Sequence, residues 1–106
     1  MKIFRTELLK LNQETNSIAR WTLLERLHII GQQNIKTHFF VHFLMLQEAF
    51  SQKNISEFLG QLVRLFFVIP GHLFNRLPVG NVGATRVSAF KSMPLPKDLV
   101  LTKSDE

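Results

Sequence analysis

The sequence predicts an all-α fold of two antiparallel helical hairpins, four helices in all, followed by an extended C-terminal segment. Apolar residues recur every three or four positions through most of residues 2–68, as on one face of a helix. Short polar breaks divide this region into four parts, and all four prolines fall at or after position 70. A chain of 106 residues can bury one hydrophobic core, so we expect a single domain over residues 1–106.

The first two helices are predicted over residues 2–12 and 17–30. In the first, Phe4, Leu8 and Leu11 are spaced to share one face. The polar residues between the two segments form a short turn, which makes the two helices antiparallel neighbours.

Asparagines mark the starts of the second and third helices. Asn16 is expected to cap the second helix, and Gly31 to end it as the glycine that follows a C-terminus. Asn34 is expected to cap the third helix, residues 35–51. Because the middle of that helix is apolar nearly all round, we predict that it is the central, buried helix.

The fourth helix is predicted over residues 55–68. Asn54 followed by Glu57 resembles a capping box, and Pro70 is expected to stop the helix. Residues 70–100 should form an irregular segment packed over the helices, and residues 101–106 should fray. The apolar side chains expected to pack down from this segment are Val87, Phe90, Met93 and Leu95.

All four histidines are predicted to meet at one end of the bundle. His28 lies near the end of the second helix, His38 and His42 near the start of the third, and His72 after the fourth. On a helix, His38 and His42 are about 40° apart, and Glu25 and His28 about 60° apart. These five side chains form a candidate metal site for a divalent transition metal such as zinc or copper, because imidazole nitrogen and carboxylate oxygen both bind such ions.

A second interpretation makes the histidines purely structural. A histidine on an apolar helical face commonly donates a hydrogen bond to a carbonyl or an acid and packs there. Gln32, Gln61 and Arg64 would then complete a buried polar network. Acid–base catalysis is the third alternative, but no matched acid and base in a cleft can be named, so the sequence favours a protein that is not an enzyme.

Composition limits the chemistry and the partners. The chain has no cysteine, which excludes disulfides, thiolate catalysis and cysteine metal sites. The net charge of the chain is +5. No acidic residue lies between Glu57 and Asp98, and the basic residues in that stretch are spaced singly. Because those residues form no run, a nucleic-acid partner is not favoured, although basic residues 64–97 keep it open. The absence of a signal peptide and of a long apolar run predicts a soluble, cytoplasmic protein.

Several motifs together resemble a bacterial family known as domain of unknown function 3703, over about residues 16–100. They are LERLHIIGQ, HFFVHFLML, EFLGQLVR, PGH, LPVGNVG and VSAFKSMPLPKDL. The resemblance implies no activity. The family pattern falls on Glu25, Arg26, His28, His38, His42, Met45, Leu46, Gly60, Gln61, Arg64, Gly71, His72, Pro78, Gly80, Asn81 and Gly83, and this chain departs from it at Leu27, Arg86 and Ser92.

The first two helices also faintly resemble a tetratricopeptide hairpin, a likeness of layout only, since Arg20 and Leu27 stand where that repeat has small residues. Two functions remain open. The first is a non-catalytic interaction module that binds a protein partner or a second copy. The second is metal binding or sensing through the histidines. The surplus apolar residues that would serve the first are Phe39, Phe43, Phe66 and Phe67.

Overall fold

The computed structural model describes residues 2–73, 83–84 and 98. It contains helices α1 (Lys2–Gln13), α2 (Ser17–Gly31), α3 (Ile35–Ser51) and α4 (Ile55–Leu73). Each helix packs against the next one in the chain, and no strand occurs in the part of the chain so described. The predicted all-α arrangement of helical hairpins is confirmed.

Asparagine side chains begin three of the helices. The Ala19 N–H donates to Asn16 Oδ1 at 3.0 Å, and the Lys36 N–H donates to Asn34 Oδ1 at 2.9 Å. The Glu57 N–H donates to Asn54 Oδ1 at 3.0 Å. Each bond satisfies an amide that the first helical turn leaves unpaired, so the polar breaks in the sequence do fix where these helices start.

Gly31 plays a different part from the one predicted. It is the last residue of α2 and has no left-handed backbone, and Gln32 is the C-cap, its N–H donating to His28 O at 3.0 Å. A Cβ on Gly31 would lie 3.2 Å from the Phe4 ring and 3.3 Å from the Thr37 side chain. Glycine therefore allows α1 and α3 to pack closely against the end of α2.

The expected end of α4 before Pro70 was wrong, because the helix continues to Leu73. Proline lacks an N–H and crowds the carbonyl four residues back, which normally ends a helix. Here Pro70 stands in the last turn, and the turn that follows brings His72 against His38. That contact, described below, gives the extra turn a packing partner.

The hydrophobic core lies where α1, α2 and α3 meet. Its members are fully or nearly fully buried, and they come from all three helices: Phe4, Leu11, Leu24, Leu27, Ile29, Ile30, Val41 and Met45. The prediction that α3 is the central, buried helix is wrong in its burial. Helix α3 packs against both α2 and α4, but Phe39, Phe40 and Phe43 are each more than two-fifths exposed.

Beyond α4 the described positions are Gly83, Ala84 and Asp98. Gly83 and Ala84 are buried, and Asp98 pairs with Arg26 of α2, which also binds Glu7 of α1. The Arg26 guanidinium lowers the pKa of the Asp98 carboxyl. The predicted packing of Val87, Phe90, Met93 and Leu95 lies outside the described residues, as does the predicted fraying of 101–106. Across the described helices, none combines the length and apolarity that a membrane span needs.

Candidate metal centre

The four histidines come from three helices whose ends meet. His28 lies in the last turn of α2, His38 and His42 in the first half of α3, and His72 in the last turn of α4. The short turns that reverse the chain between these helices bring the four residues to one end of the bundle. His28, His38 and His42 are buried, with exposed fractions of 5 % or less.

Three imidazole nitrogens form a nearly equilateral triangle. The Nε2 atom of His28 lies 3.1 Å from that of His38 and 3.0 Å from that of His42, and the third side is 3.2 Å. Four ligands placed tetrahedrally about 2.05 Å from a zinc ion are roughly 3.3 Å apart, so the triangle is close to one face of such a site. In the described part of the chain, these are the residues whose ligand atoms group in this way.

A chain of hydrogen bonds fixes the proton on His42. The Gln61 amide nitrogen donates to Glu57 Oε2 at 2.7 Å and to the Gly83 carbonyl at 2.8 Å, and both of these oxygens are acceptors. Gln61 Oε1 must therefore face His42 Nδ1, which lies 2.6 Å away and donates to it. In the neutral imidazole the Nε2 of His42 then carries a lone pair that points into the triangle.

His72 supports His38 from behind. Its Nε2 lies 3.0 Å from His38 Nδ1, on the side of the ring opposite the triangle. With Nδ1 of His38 as the donor, His38 Nε2 also carries a lone pair directed inward. His72 therefore lies at the predicted end of the bundle, where it contacts the candidate ligand His38. It does not contribute one of the three grouped nitrogens.

The centre favours neutral imidazoles. Burial lowers the pKa of His38 to about 3, assisted by the neighbouring charge of His42. Burial lowers the pKa of His42 to about 4, although its bond with Gln61 acts in the opposite direction. Burial also lowers the pKa of His72. Neutral imidazole is the form that binds a metal ion, so His38 and His42 are in the binding form at neutral pH.

Gly83 closes the centre over His28. Its φ is +82°, a left-handed backbone that glycine adopts readily, and a Cβ there would lie 2.6 Å from His28 Cγ and Cδ2. Sequence reasoning missed Gly83 and Glu57 as parts of the site. The turn signal PVGNVG and the spacing of Glu57 and Gln61 by one helical turn were the available signals.

The other predicted site residues lie around the centre. Glu25 is outside the triangle, and its Oε2 accepts from Trp21 Nε1 at 3.1 Å, one turn earlier on α2. Gln61 belongs to the predicted polar network through His42, Glu57 and Gly83. Gln32 is buried at the end of α2, and burial lowers the pKa of Arg64.

Comparison with known protein families identifies the family of the chain. The model of a family described as a protein of unknown function (DUF3703) matches residues 2–102. Among curated proteins and among solved structures, no significant match is found.

Proposed function

The chain belongs to the DUF3703 family, and since this membership supplies no activity, we propose from the geometry that it binds a transition-metal ion through His28, His38 and His42. The observation that carries the proposal is the triangle of Nε2 atoms with sides of 3.0 to 3.2 Å. Imidazole nitrogen suits zinc, copper, nickel and iron, with zinc and copper the ions first expected here.

The positions of the protons on the imidazole rings favour a cation at the centre of the triangle. His42 has its proton on Nδ1, and His38 has a bonding partner for its own Nδ1 in His72. With Nδ1 of His38 as the donor to His72, the lone pairs of His38 Nε2 and His42 Nε2 face each other across 3.2 Å, and His28 Nε2 lies as close. A cation between the three nitrogens replaces this repulsion by three bonds, whereas one proton can be shared along only one side at a time.

The surroundings of the rings also favour a metal site. Histidines that bind metals regularly donate their other ring N–H to a carbonyl, a carboxylate or another acceptor, which fixes the ring orientation. His42 does this toward Gln61, and Gln61 in turn toward the buried carboxylate of Glu57. Glu57 thus supplies a negative charge that is linked to the proposed ion through Gln61 and His42 and offsets part of the ion's charge.

Thermal unfolding of chelator-treated protein with added Zn²⁺ or Cu²⁺ tests the proposal. A ligand that binds only the folded state stabilises it by about 2.7 kcal/mol when its concentration is 100 times its Kd. We expect a higher melting temperature and, in equilibrium dialysis, one ion per chain. In the double variant His38→Ala/His42→Ala the metal-dependent rise should vanish.

Glu25→Gln is the matched control, because Glu25 shares α2 with His28 but lies outside the triangle. It should bind the ion as the wild type does. Helix content by circular dichroism shows whether the double variant has folded, and dialysis reports binding independently of melting. The proposal fails if millimolar excess of zinc, copper, nickel and iron(II) changes neither melting nor ion retention in the wild type.

A second candidate function is a non-catalytic interaction module, which is supported by the exposed apolar side chains of α3 and α4. Such surface in a folded chain typically marks a contact with another molecule. Nucleic acid is the weaker partner, because the basic residues of 64–97 are singly spaced along the sequence and Arg64 is only partly exposed. The cytoplasmic location stays a prediction.

A further inference from the structure

Helix α4 has its polar residues inside and its apolar residues outside. Its buried residues include Glu57 and Gln61, whereas Ser56 is the one polar residue among its nine exposed positions. The other eight are Ile55, Leu59, Leu62, Val63, Phe66, Phe67, Ile69 and Leu73. A helix with this polarity indicates an interaction surface, because its apolar outer face is unfavourably exposed to water.

The spacing of these exposed residues identifies the shape of the partner. Six of them follow one another at intervals of four, three, four, three and four positions, and we call them the α4 stripe: Ile55, Leu59, Leu62, Phe66, Ile69 and Leu73. This is the spacing of the a and d positions of a coiled coil, whose seam packs against another helix with the same spacing. Helices α1, α2 and α3 bury core residues against one another, and α3 also exposes Phe39, Phe40, Phe43 and Phe50.

The described positions that follow α4 leave the stripe uncovered. Gly83 meets the inner face of α4 through Gln61, which is completely buried. Asp98 pairs with Arg26 on α2. Both positions therefore lie away from the outer face of α4.

From these observations we infer that the α4 stripe pairs with the α4 stripe of a second copy of this chain. This deepens the interaction-module function proposed above and rests on it. The two charged residues of α4, Glu57 and Arg64, are turned away from the stripe, so pairing two copies brings no like charges together. The exposed surface of the eight apolar residues is on the order of 1,000 Å² per chain. A standard protein interface buries roughly 800 Å² on each partner.

Sedimentation equilibrium of the full chain tests this inference. We expect the wild type to have twice the chain mass of 12.3 kDa at micromolar concentration. Phe66→Glu and Leu59→Glu each place a charge in the middle of the stripe, and both should be monomeric with unchanged helix content. Because Phe66 is 75 % exposed within one chain, the substitution removes little packing inside the monomer.

Ile18→Glu on α2 is the matched control, since Ile18 is 78 % exposed and lies outside the stripe. It should stay dimeric. A dimer that survives both α4 variants would overturn the inference, because the copies would then meet elsewhere. A monomeric wild type at submillimolar concentration would also overturn it. In that case, binding of a hydrophobic dye that Phe66→Glu abolishes would keep the interaction module with a different partner, and absence of dye binding would remove the module as well.

Discussion

A single glutamine determines which nitrogen of His42 is available to a ligand. Gln61 is completely buried, and both hydrogens of its amide are committed to oxygen acceptors, Glu57 Oε2 and the Gly83 carbonyl. Its own oxygen is left for His42 Nδ1. The tautomer of the histidine therefore follows from acceptors that cannot donate, two bonds away from the ring. The sequence spacing predicts that His42 lies at the histidine end of the bundle. The position of its proton can be assigned only from the hydrogen bonds of the Gln61 amide.

Replacement of Gly83 by alanine should damage the centre more than the fold. The new Cβ would meet the His28 ring at 2.6 Å, and alanine tolerates the φ of +82° poorly. Strain of this kind costs on the order of 1–3 kcal/mol, and relief by movement of the ring displaces one corner of the triangle. We expect a lower melting temperature without metal and at least tenfold weaker Zn²⁺ binding by calorimetry.

Gly31→Ala provides the comparison for that substitution. Gly31 has an ordinary helical backbone, and a Cβ added there would meet Phe4 and Thr37 at 3.2 to 3.3 Å. Neither of these residues belongs to the histidine triangle. It should alter melting but leave the metal affinity unchanged. Equal affinity in the Gly83→Ala variant and the wild type would show that Gly83 does not constrain the centre.

At the level of helices, the sequence predicts what local patterns control and misses what distant contacts control. Asparagine caps and apolar spacing fixed the starts of α2, α3 and α4, because both act within one turn of helix. The end of α4 was misplaced, because Pro70 is a local stop signal and the histidine contact beyond it joins residues 34 positions apart. Likewise, Glu25 has the spacing to join His28, but its bond to Trp21 holds it elsewhere.

One ion pair joins three helices and provides a test of this kind of distant contact. Arg20 Nε donates to Glu48 Oε1 at 2.9 Å, and its Nη1 donates to the carbonyls of Leu11 and Glu14 at 2.8 Å. Arg20→Met leaves the mostly buried Glu48 carboxylate without this partner. Because this pair is partly buried, we expect a loss of about 2 kcal/mol in urea unfolding.

Arg20→Met/Glu48→Leu separates the ion pair from packing. With both side chains replaced, the Glu48 carboxylate is no longer left without its arginine, so the double variant should regain part of the lost stability. Arg5→Met, at an exposed position on α1, is the control and should unfold as the wild type does. If Arg20→Met also unfolds as the wild type does, the pair contributes nothing to holding α1, α2 and α3 together.

On the scale of the whole molecule, α4 connects the two proposed functions. Its inner face carries Glu57, Gln61 and His72, which surround the histidine triangle, and its outer face carries the apolar stripe. The same helix therefore contributes polar groups to the interior and apolar groups to the exterior. Helix periodicity alone predicts an apolar face but not which way it points, and the buried hydrogen bonds of Gln61 decide that orientation.

Acid should unfold the metal-free protein through the same interior. The pKa of His38 is about 3 and that of His42 about 4 in the folded chain, against 6.5 for an ordinary histidine. Below pH 6.5 the unfolded chain therefore binds protons that the folded chain does not, because burial of the two rings disfavours their charged form. Stability is then complete above about pH 6.5 and decreases as pH falls toward 4, by roughly 1.4 kcal/mol per pH unit for each such histidine.

Urea unfolding of chelated protein from pH 7.5 to pH 4.5 measures this slope, and His38→Leu/His42→Leu should flatten it while retaining the contribution of the carboxylates. An equally steep slope in that variant would assign acid unfolding to other groups and contradict the burial of neutral rings.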